Sequence, residues 1–401
     1  MKRKISRQEI LGSRPILIIA NSSWYLNHYR YLLINQVNKS NKLITMAPVD
    51  SSSNQLSKFS IFIPWKIQRS KDGSLISIFI SFLRLLLLVR AIKPKLIHSH
   101  TLKTNLLTSA VAAIYGIPCL LSFAGLGRLS TKKGLKKILF KLLLRLMAYF
   151  SSHKRESRLS WKKSFDRSFL IFQNPIDQSF FNKSVPKFDL NYQIIIPGSG
   201  LPQRYLENNV NNKSNYWNNS FLKNNFKKES ITFIFCARLI KSKGIYTFLE
   251  ILKKYNFCKG VIYGSIDPSS RDSLNKDDIN EIKKSFKNIS FAGNIEDPLL
   301  NCNFEYPVFV NPSEYGEGVS RTILEAFAMR IPVICSKNVL SGIFKEEHVF
   351  YAKTNNLSEY FNLVDQLIKE YASEILNTRI ENAYHLVSSK YSEKIIVKKT
   401  I

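Results

Sequence analysis

Residues 311 to 328, NPSEYGEGVSRTILEAFA, set a loop of turn formers against an apolar helical run. Pro312 and Ser313 close a strand, Gly316 and Gly318 mark the loop, and residues 322 to 329 have helix-forming character. Two glutamates flank the junction, Glu317 on the loop and Glu325 one turn inside the helix. Backbone N–H groups of residues 318 to 323 then point out of a helix N-terminus, where unpaired donors and the macrodipole both favour phosphate. A carboxylate beside phosphate repels it unless engaged elsewhere. Neighbouring sugar hydroxyls offer that engagement, since one carboxylate accepts from two O–H groups, so the layout suits a sugar nucleotide. It also suits a purely local role, with Thr322-x-x-Glu325 as a capping box and Glu317 as a solvated loop acid.

The same strand-then-helix order extends outward from this stretch. ITFIFCARL, a helix over 244–254, GVIYGSID, a charged helix over 276–286, ISFAGN and PVFVNPSE precede it, and IPVICS follows. The N-terminal half repeats the pattern: PILIIANSS, a helical stretch over 24–37, KLITMAP, FSIFIPW, a helix over 75–92, KPKLIHSH, a helix over 102–115, IPCLLSF and the loop AGLGRLS. Repeated β-α order implies parallel sheets with helices on both faces. Ligands on such sheets bind outside the carboxyl ends of the strands. Residues 21–25, 98–101 and 124–130 fall at such ends.

A chain of 401 residues suits two domains of roughly 150 to 200 residues each. The expected organisation is an N-terminal domain over 1–187, a connector with an Asn-rich insertion over 188–230, a C-terminal domain over 231–380, and a C-terminal helix over 381–401 that returns to the N-terminal domain. Two β-α domains in tandem leave a cleft between them. The insertion NNVNNKSNYWNNSFLKNNF is too polar to form a core.

The formal charge of +30 is unevenly spread. Residues 1–187 hold 32 Lys and Arg against 6 Asp and Glu, and the remaining 214 residues hold 27 against 23. The basic partner therefore faces the N-terminal half, as nucleic acid, an anionic membrane or an acidic substrate. In TKKGLKKILFKLLLRLMAYF, Lys133, Lys137, Lys141 and Arg145 recur every four residues with leucines on the other side. This pattern suits a helix lying on an anionic membrane, or equally one packing its leucines on the sheet with solvated lysines outside. LISIFISFLRLLLLVRAI is interrupted by Arg84 and Arg90 and reads as a buried or amphipathic helix rather than a span. The five cysteines are dispersed without C-x-x-C spacing, and the basic start lacks an apolar h-region, which together point to a reducing cytoplasm.

PSEYGEGVSRTILEAFAMRIPVI resembles the Glu-x7-Glu signature of the retaining glycosyltransferases with a GT-B fold. FCARLIKSKGIYTFLE resembles that family's strand, Arg, loop, Lys-Gly, helix element; IIIPGSG resembles its entry to the C-terminal domain, and KPKLIHSHTLKTNLL its His-x-His segment. ANSSWYLNHYR and IFQNPID are similar to elements of the branch acting on polyprenyl-diphosphate-linked sugars. The resemblance implies two Rossmann-like β/α/β domains facing a central cleft. It places Arg238, Lys243, Gly318, Val319 and Glu325 on the donor, with Glu325 on the ribose hydroxyls. Glu317 holds donor-sugar hydroxyls and His100 sits near the reacting carbon, as the catalytic pair. Asn21, His28, Arg69, Lys103 and Arg128 fall to the acceptor, whose diphosphate wants basic residues. Departures from the family pattern include Ala237 before the arginine, Lys95 after Pro94, and Arg330 in place of glycine before Ile331-Pro332.

The implied reaction is retaining transfer from a nucleotide-sugar to a polyprenyl-diphosphate-linked saccharide, in bacterial O-antigen or capsule synthesis. It takes place at the cytoplasmic face of the membrane. Cations and a helix N-terminus stabilise the departing diphosphate, and no Asp-x-Asp pair suits Mg²⁺, so no cofactor or metal is expected. His98 and His100 permit a zinc reading, but no further close His or Cys completes it. The rival readings are a basic nucleic-acid-binding or membrane-binding protein without transferase activity, and a GT-B sugar-nucleotide epimerase. The chain shows no recognised nucleic-acid motif, so nucleic acid is not an expected partner.

Overall fold

The computed structural model describes residues 14–67, 75–126, 134–151, 168–207 and 226–401, apart from 269, 354–355 and 372. Arg69, Arg128 and Lys133 lie outside the described residues. The chain divides into two compact units, Met1–Ser199 with Val397–Ile401, and Gly200–Ile396.

The first unit holds seven parallel strands, β1 (Ile16–Ile19), β2 (Leu43–Ala47), β3 (Ile61–Pro64), β4 (Leu96–His100), β5 (Cys119–Phe123), β6 (Phe169–Phe172) and β7 (Gln193–Ile195). Their order is β3-β2-β1-β4-β5-β6-β7. Short apolar runs bounded by turn residues produce these strands, and successive side chains serve opposite faces. Along β1, Leu17 and Ile19 enter the larger core while Ile18 and Ala20 enter the smaller one. Helices α1 (Ser23–Tyr29), α2 (Tyr31–Ser40) and α3 (Ser53–Phe59) cover the smaller core. Helices α4 (Leu75–Ile92), α5 (Leu102–Tyr115) and α6 (Leu135–Ser151) cover the larger, as right-handed crossovers running the other way along the sheet require. Helix α7 (Pro175–Ser184) follows β6, with Pro175 in its first turn and Asn174 as its N-cap.

The stretch over 24–37, expected as one helix, is two. Arg30 leaves helical geometry between α1 and α2, and its buried guanidinium donates to the Tyr25 hydroxyl at 3.1 and 3.2 Å and to the Gly198 carbonyl at 3.4 Å. Those tertiary bonds override a sequence that is locally helix-competent.

The second unit repeats the design with α8 (Gln203–Glu207), β8 (Ile231–Cys236), α9 (Ile245–Lys254), β9 (Lys259–Tyr263), α10 (Lys276–Ser285), β10 (Ile289–Gly293), β11 (Tyr306–Asn311), α11 (Arg321–Ala328), β12 (Val333–Ser336), β13 (Phe350–Ala352), α12 (Leu357–Glu370) and α13 (Glu374–Lys390). The sheet order is β10-β9-β8-β11-β12-β13, all parallel. A last helix, α14 (Glu393–Thr400), ends the chain. Strand order reverses between β1 and β4 in one unit and between β8 and β11 in the other, the positions where such sheets open for ligands.

Arg330 follows Met329, the C-cap of α11, with φ of 53°, a left-handed conformation that side chains disfavour. Its guanidinium pairs with Glu381 at 2.7 Å and lies 3.7 Å from the Tyr384 ring centroid on α13. Arg330 thus exchanges backbone ease for a link between α11 and α13. The Arg330→Ala variant loses the link and keeps the strain, whereas Arg330→Gly loses the link and relieves it. Thermal melts are expected to rank Ala below Gly by about 1 to 2 kcal/mol; the reverse ranking would contradict this account of the turn.

Candidate active site

The C-terminal site is built on the ends of β8 and β11, which are hydrogen-bonded neighbours. After β8 the chain runs through Arg238 and a single 3₁₀ turn, Lys241–Lys243, to Gly244 at φ of 81°. A β-carbon on Gly244 would fall 2.1 Å from the Pro312 carbonyl oxygen, so glycine is what lets this turn rest on the Asn311–Pro312 backbone. Glu314 N–H donates to the Ser242 carbonyl at 3.0 Å, and the Asp272 carboxylate receives both the N–H and the hydroxyl of Ser242. The two loops are thereby fixed against each other.

Across this junction Lys243 Nζ lies 2.5 Å from Glu317 Oε1 and 4.9 Å from the Tyr315 ring centroid. Burial by itself would lower the pKa of the ammonium; Glu317 and Tyr315 more than reverse this, leaving it above the ordinary lysine value. Lys243 is therefore charged at neutral pH. Arg238 is exposed and pairs with Asp267 at 2.6 Å.

Glu325 is buried and accepts from Arg321 Nε at 2.9 Å, one turn earlier on the same helix. The capping-box alternative is not what forms. The N-cap of α11 is Ser320, whose side chain makes no capping bond and instead meets Asn311 and Thr322. Glu317 likewise is no solvated acid, because Lys243 holds it. Ser341 donates to the carbonyls of Glu317 and Gly318, while Ser336 and Asn338 donate to that of Ser313. With the carbonyls of the loop turned toward these donors, Gly318 and Val319 lead into the start of α11.

Sequence reading missed Asp267, Asp272, Ser336 and Ser341, which support the site from 20 to 30 residues away and carry no local signal. Arg321 was readable, since it stands four residues before Glu325 on a predicted helix.

In the N-terminal unit, His98 and His100 stand at the end of β4, both buried, with ring centroids 4.2 Å apart. His98 bonds the Ser122 hydroxyl at 2.9 Å, while neither ring nitrogen of His100 has a partner among the described residues. Burial, helped by the Arg30 charge, lowers the His98 pKa to about 3, and burial followed by the charges of His98 and Arg30 holds His100 well below its ordinary value. Both rings are neutral at pH 7. The next residue, Thr101, has φ of 78°, an uncommon conformation that turns the chain sharply into α5. Asn21 follows β1, the strand beside β4, and its side-chain oxygen is buried without a partner among the described residues. His28 stacks on Trp24 at 4.5 Å and bonds its carbonyl, and Lys103 lies in the first turn of α5 with its pKa lowered by burial. His100 and Asn21 therefore lie at one switch point, and Lys103 close to it in sequence. Among the described residues no group of three or more His, Cys, Asp or Glu is placed to hold a metal ion.

The third set of expected residues lies on α6. Lys137, Lys141 and Arg145 follow one flank of the helix, but most of the leucines expected to pack on the sheet do not. Phe140, Leu144, Met147 and Ala148 do so, and Leu135, Ile138, Leu139, Leu142 and Leu146 face outward. The helix thus has two apolar faces.

Residues 230–370 match the family model described as glycosyl transferases group 1, and residues 16–154 match that described as glycosyl transferase 4-like. The capsular polysaccharide biosynthesis glycosyltransferase CapM of Staphylococcus aureus is 24% identical over 360 residues, 87% of this chain and 86% of its own. A glycosyltransferase structure from Rickettsia africae superimposes with a TM-score of 0.70 at 15% identity, over 97% of both chains. Anabaena Alr3699/HepE in complex with UDP and glucose gives 0.68 at 14% identity, over 97% of this chain and 98% of that one. Two Rossmann-like units of this kind are the GT-B architecture that the sequence resemblance implied.

The pKa of Glu325 is raised by burial, against the pull of Arg321. A carboxyl whose pKa is higher folded than unfolded binds its proton more tightly in the folded chain. That contribution is complete below the unfolded pKa and is lost as pH rises through the folded one. Replacing Glu325 by Gln removes it. The melting temperature of Glu325→Gln relative to wild type is therefore expected to climb as pH rises from about 4.5 toward neutrality; a difference that stays flat or falls would contradict the assignment.

Proposed function

We propose that this chain, a group 1 glycosyltransferase of the GT-B fold, transfers a sugar from a nucleotide-sugar to a polyprenyl-diphosphate-linked saccharide with retention at the anomeric carbon. The observation that carries the reading is the pairing at the β8 and β11 ends. Two carboxylates there, Glu317 and Glu325, flank a helix N-terminus without side-chain capping, and each is matched by a cation.

On this reading the donor diphosphate lies against the start of α11, at Gly318 and Val319, with Arg238 and Lys243 neutralising charge that develops as it departs. Glu325 takes the ribose hydroxyls and Glu317 those of the donor sugar. His100 contributes a neutral imidazole with both nitrogens free for a sugar hydroxyl. The departing phosphate helps to accept the acceptor proton on the same face of the sugar, and no metal or cofactor takes part because cations of the chain perform the electrostatic task. The HepE complex with UDP and glucose supports a nucleoside-diphosphate sugar as donor. The CapM likeness supports a role in surface polysaccharide synthesis, as capsule or O-antigen, and with it a lipid-linked acceptor handled by Asn21, His28, Arg69, Lys103 and Arg128. Peripheral attachment to the inner face of the cell membrane, through Lys133, Lys137, Lys141 and Arg145, follows from such an acceptor.

Thermal melts with a panel of nucleoside diphosphates and nucleotide-sugars test the donor site. One nucleotide is expected to stabilise the wild type by mass action and to have no effect on Glu325→Ala; no shift with any donor would defeat the proposal. With that donor in hand, Arg238→Ala is expected to lower kcat by about 10²–10³. NMR of the product should show the donor's anomeric configuration, and inversion would sink the retaining mechanism.

A further inference from the structure

Helix α4 repeats the unusual feature of α6. Its outward residues are Ile76, Phe79, Ile80, Leu83 and Leu87, at the spacing i, i+3, i+4, i+7, i+11. The α6 stripe of Leu135, Ile138, Leu139, Leu142 and Leu146 follows the same spacing. Phe79 and Leu87 are 59% and 63% exposed, and Leu139 and Leu142 56% and 57%, so among the described residues these faces are unpartnered rather than edges of the core. Both helices lie on the same face of the N-terminal sheet, and α5, which packs against each of them, contributes the half-buried Leu106, Ala110 and Ala113. Exposed apolar residues scattered singly are ordinary in a monomer, but two parallel stripes in one layer mark an interaction surface.

Charge identifies the occupant. The sequences of α4, α5 and α6 contain no Asp or Glu at all, while Arg84, Arg90, Lys103, Lys136, Lys137, Lys141 and Arg145 belong to them. A second copy of this face would set these cations against one another. A sheet of anionic headgroups over hydrocarbon satisfies both features, the cations at headgroup depth and the apolar stripes below. No helix among the described residues is long and apolar enough to cross a membrane, so the helices lie in the surface.

We infer that α4 and α6 together form a membrane-docking face that inserts apolar side chains into an anionic phospholipid bilayer, with α4 as a second anchor beside the basic helix α6. This deepens, and rests on, the reading that the acceptor is borne by a membrane.

Co-sedimentation of the full chain with phosphatidylcholine vesicles, with and without phosphatidylglycerol, tests it. Wild type is expected to bind the anionic vesicles and to remain partly bound at about 1 M salt, where a Debye length of about 3 Å removes the charge contribution. The α4 variant Phe79→Ser/Leu87→Ser and the α6 variant Leu139→Ser/Leu142→Ser are each expected to lower partitioning about tenfold or more. Both variants should keep the wild-type melting temperature and the nucleotide-dependent shift, showing that they are folded. An α4 variant that binds as wild type does overturns the inference, as does a wild type that ignores anionic vesicles. If wild type self-associates in solution and Phe79→Ser/Leu87→Ser abolishes this, the face belongs to a second copy and the inference is likewise overturned. Vesicle binding without any nucleotide-induced stabilisation would leave the docking face standing while defeating the donor site.

Discussion

Hydrogen bonding between β8 and β11 decides where the charged loops of the C-terminal unit meet. Their pairing, Tyr306 with Ile231 through Phe309 with Ile234, ends both strands at the same edge of the sheet. Connections leave these two strands in opposite directions along the sheet, so their loops meet at a switch point of the topology. Arg238 and Lys243 arrive there from one strand, and Glu317 with the start of α11 from the other. The close rest of Gly244 on Pro312 then converts neighbouring loops into one rigid junction.

Electrostatics explains how two acids persist beside a helix N-terminus. Each is paired before any ligand arrives, Glu317 with Lys243 and Glu325 with Arg321. Removing one partner of such a pair leaves a charge buried without compensation, which costs far more than an exposed ion pair contributes. The N-terminal unit answers the same topological opening with the opposite device. At the ends of β1 and β4 it places neutral groups, with both ring nitrogens of His100 and the side-chain oxygen of Asn21 buried and unbonded among the described residues. Buried polar atoms of this kind are uncommon in native folds and collect where a fold is shaped for something other than stability.

The uneven charge of the chain acquires a spatial meaning in the same unit. Its cations border outward apolar residues on α4 and α6 instead of standing alone in solvent. A surface that is both cationic and apolar is poorly matched to water and to nucleic acid, and well matched to a lipid headgroup layer.

The amino-acid sequence alone indicated most of the strands and helices that build the two sheets, their parallel order, and the identity of Arg238, Lys243, Glu317 and Glu325, because hydrophobic period and turn chemistry are local properties. It determined the GT-B likeness through a motif whose residues are contiguous. It did not determine the break at Arg30, whose guanidinium reaches the Tyr25 hydroxyl and a carbonyl 168 residues away. It did not determine whether Glu325 caps its helix or pairs with Arg321, since both partners lie within one turn and only the placement of Ser320 by Asn311 and Thr322 separates them. Nor did it settle which apolar face of α6 is covered. Two faces of that helix satisfy the 3.6-residue period, and only the neighbouring sheet and helices select Phe140, Leu144, Met147 and Ala148 for burial, leaving Leu135, Ile138, Leu139, Leu142 and Leu146 outside.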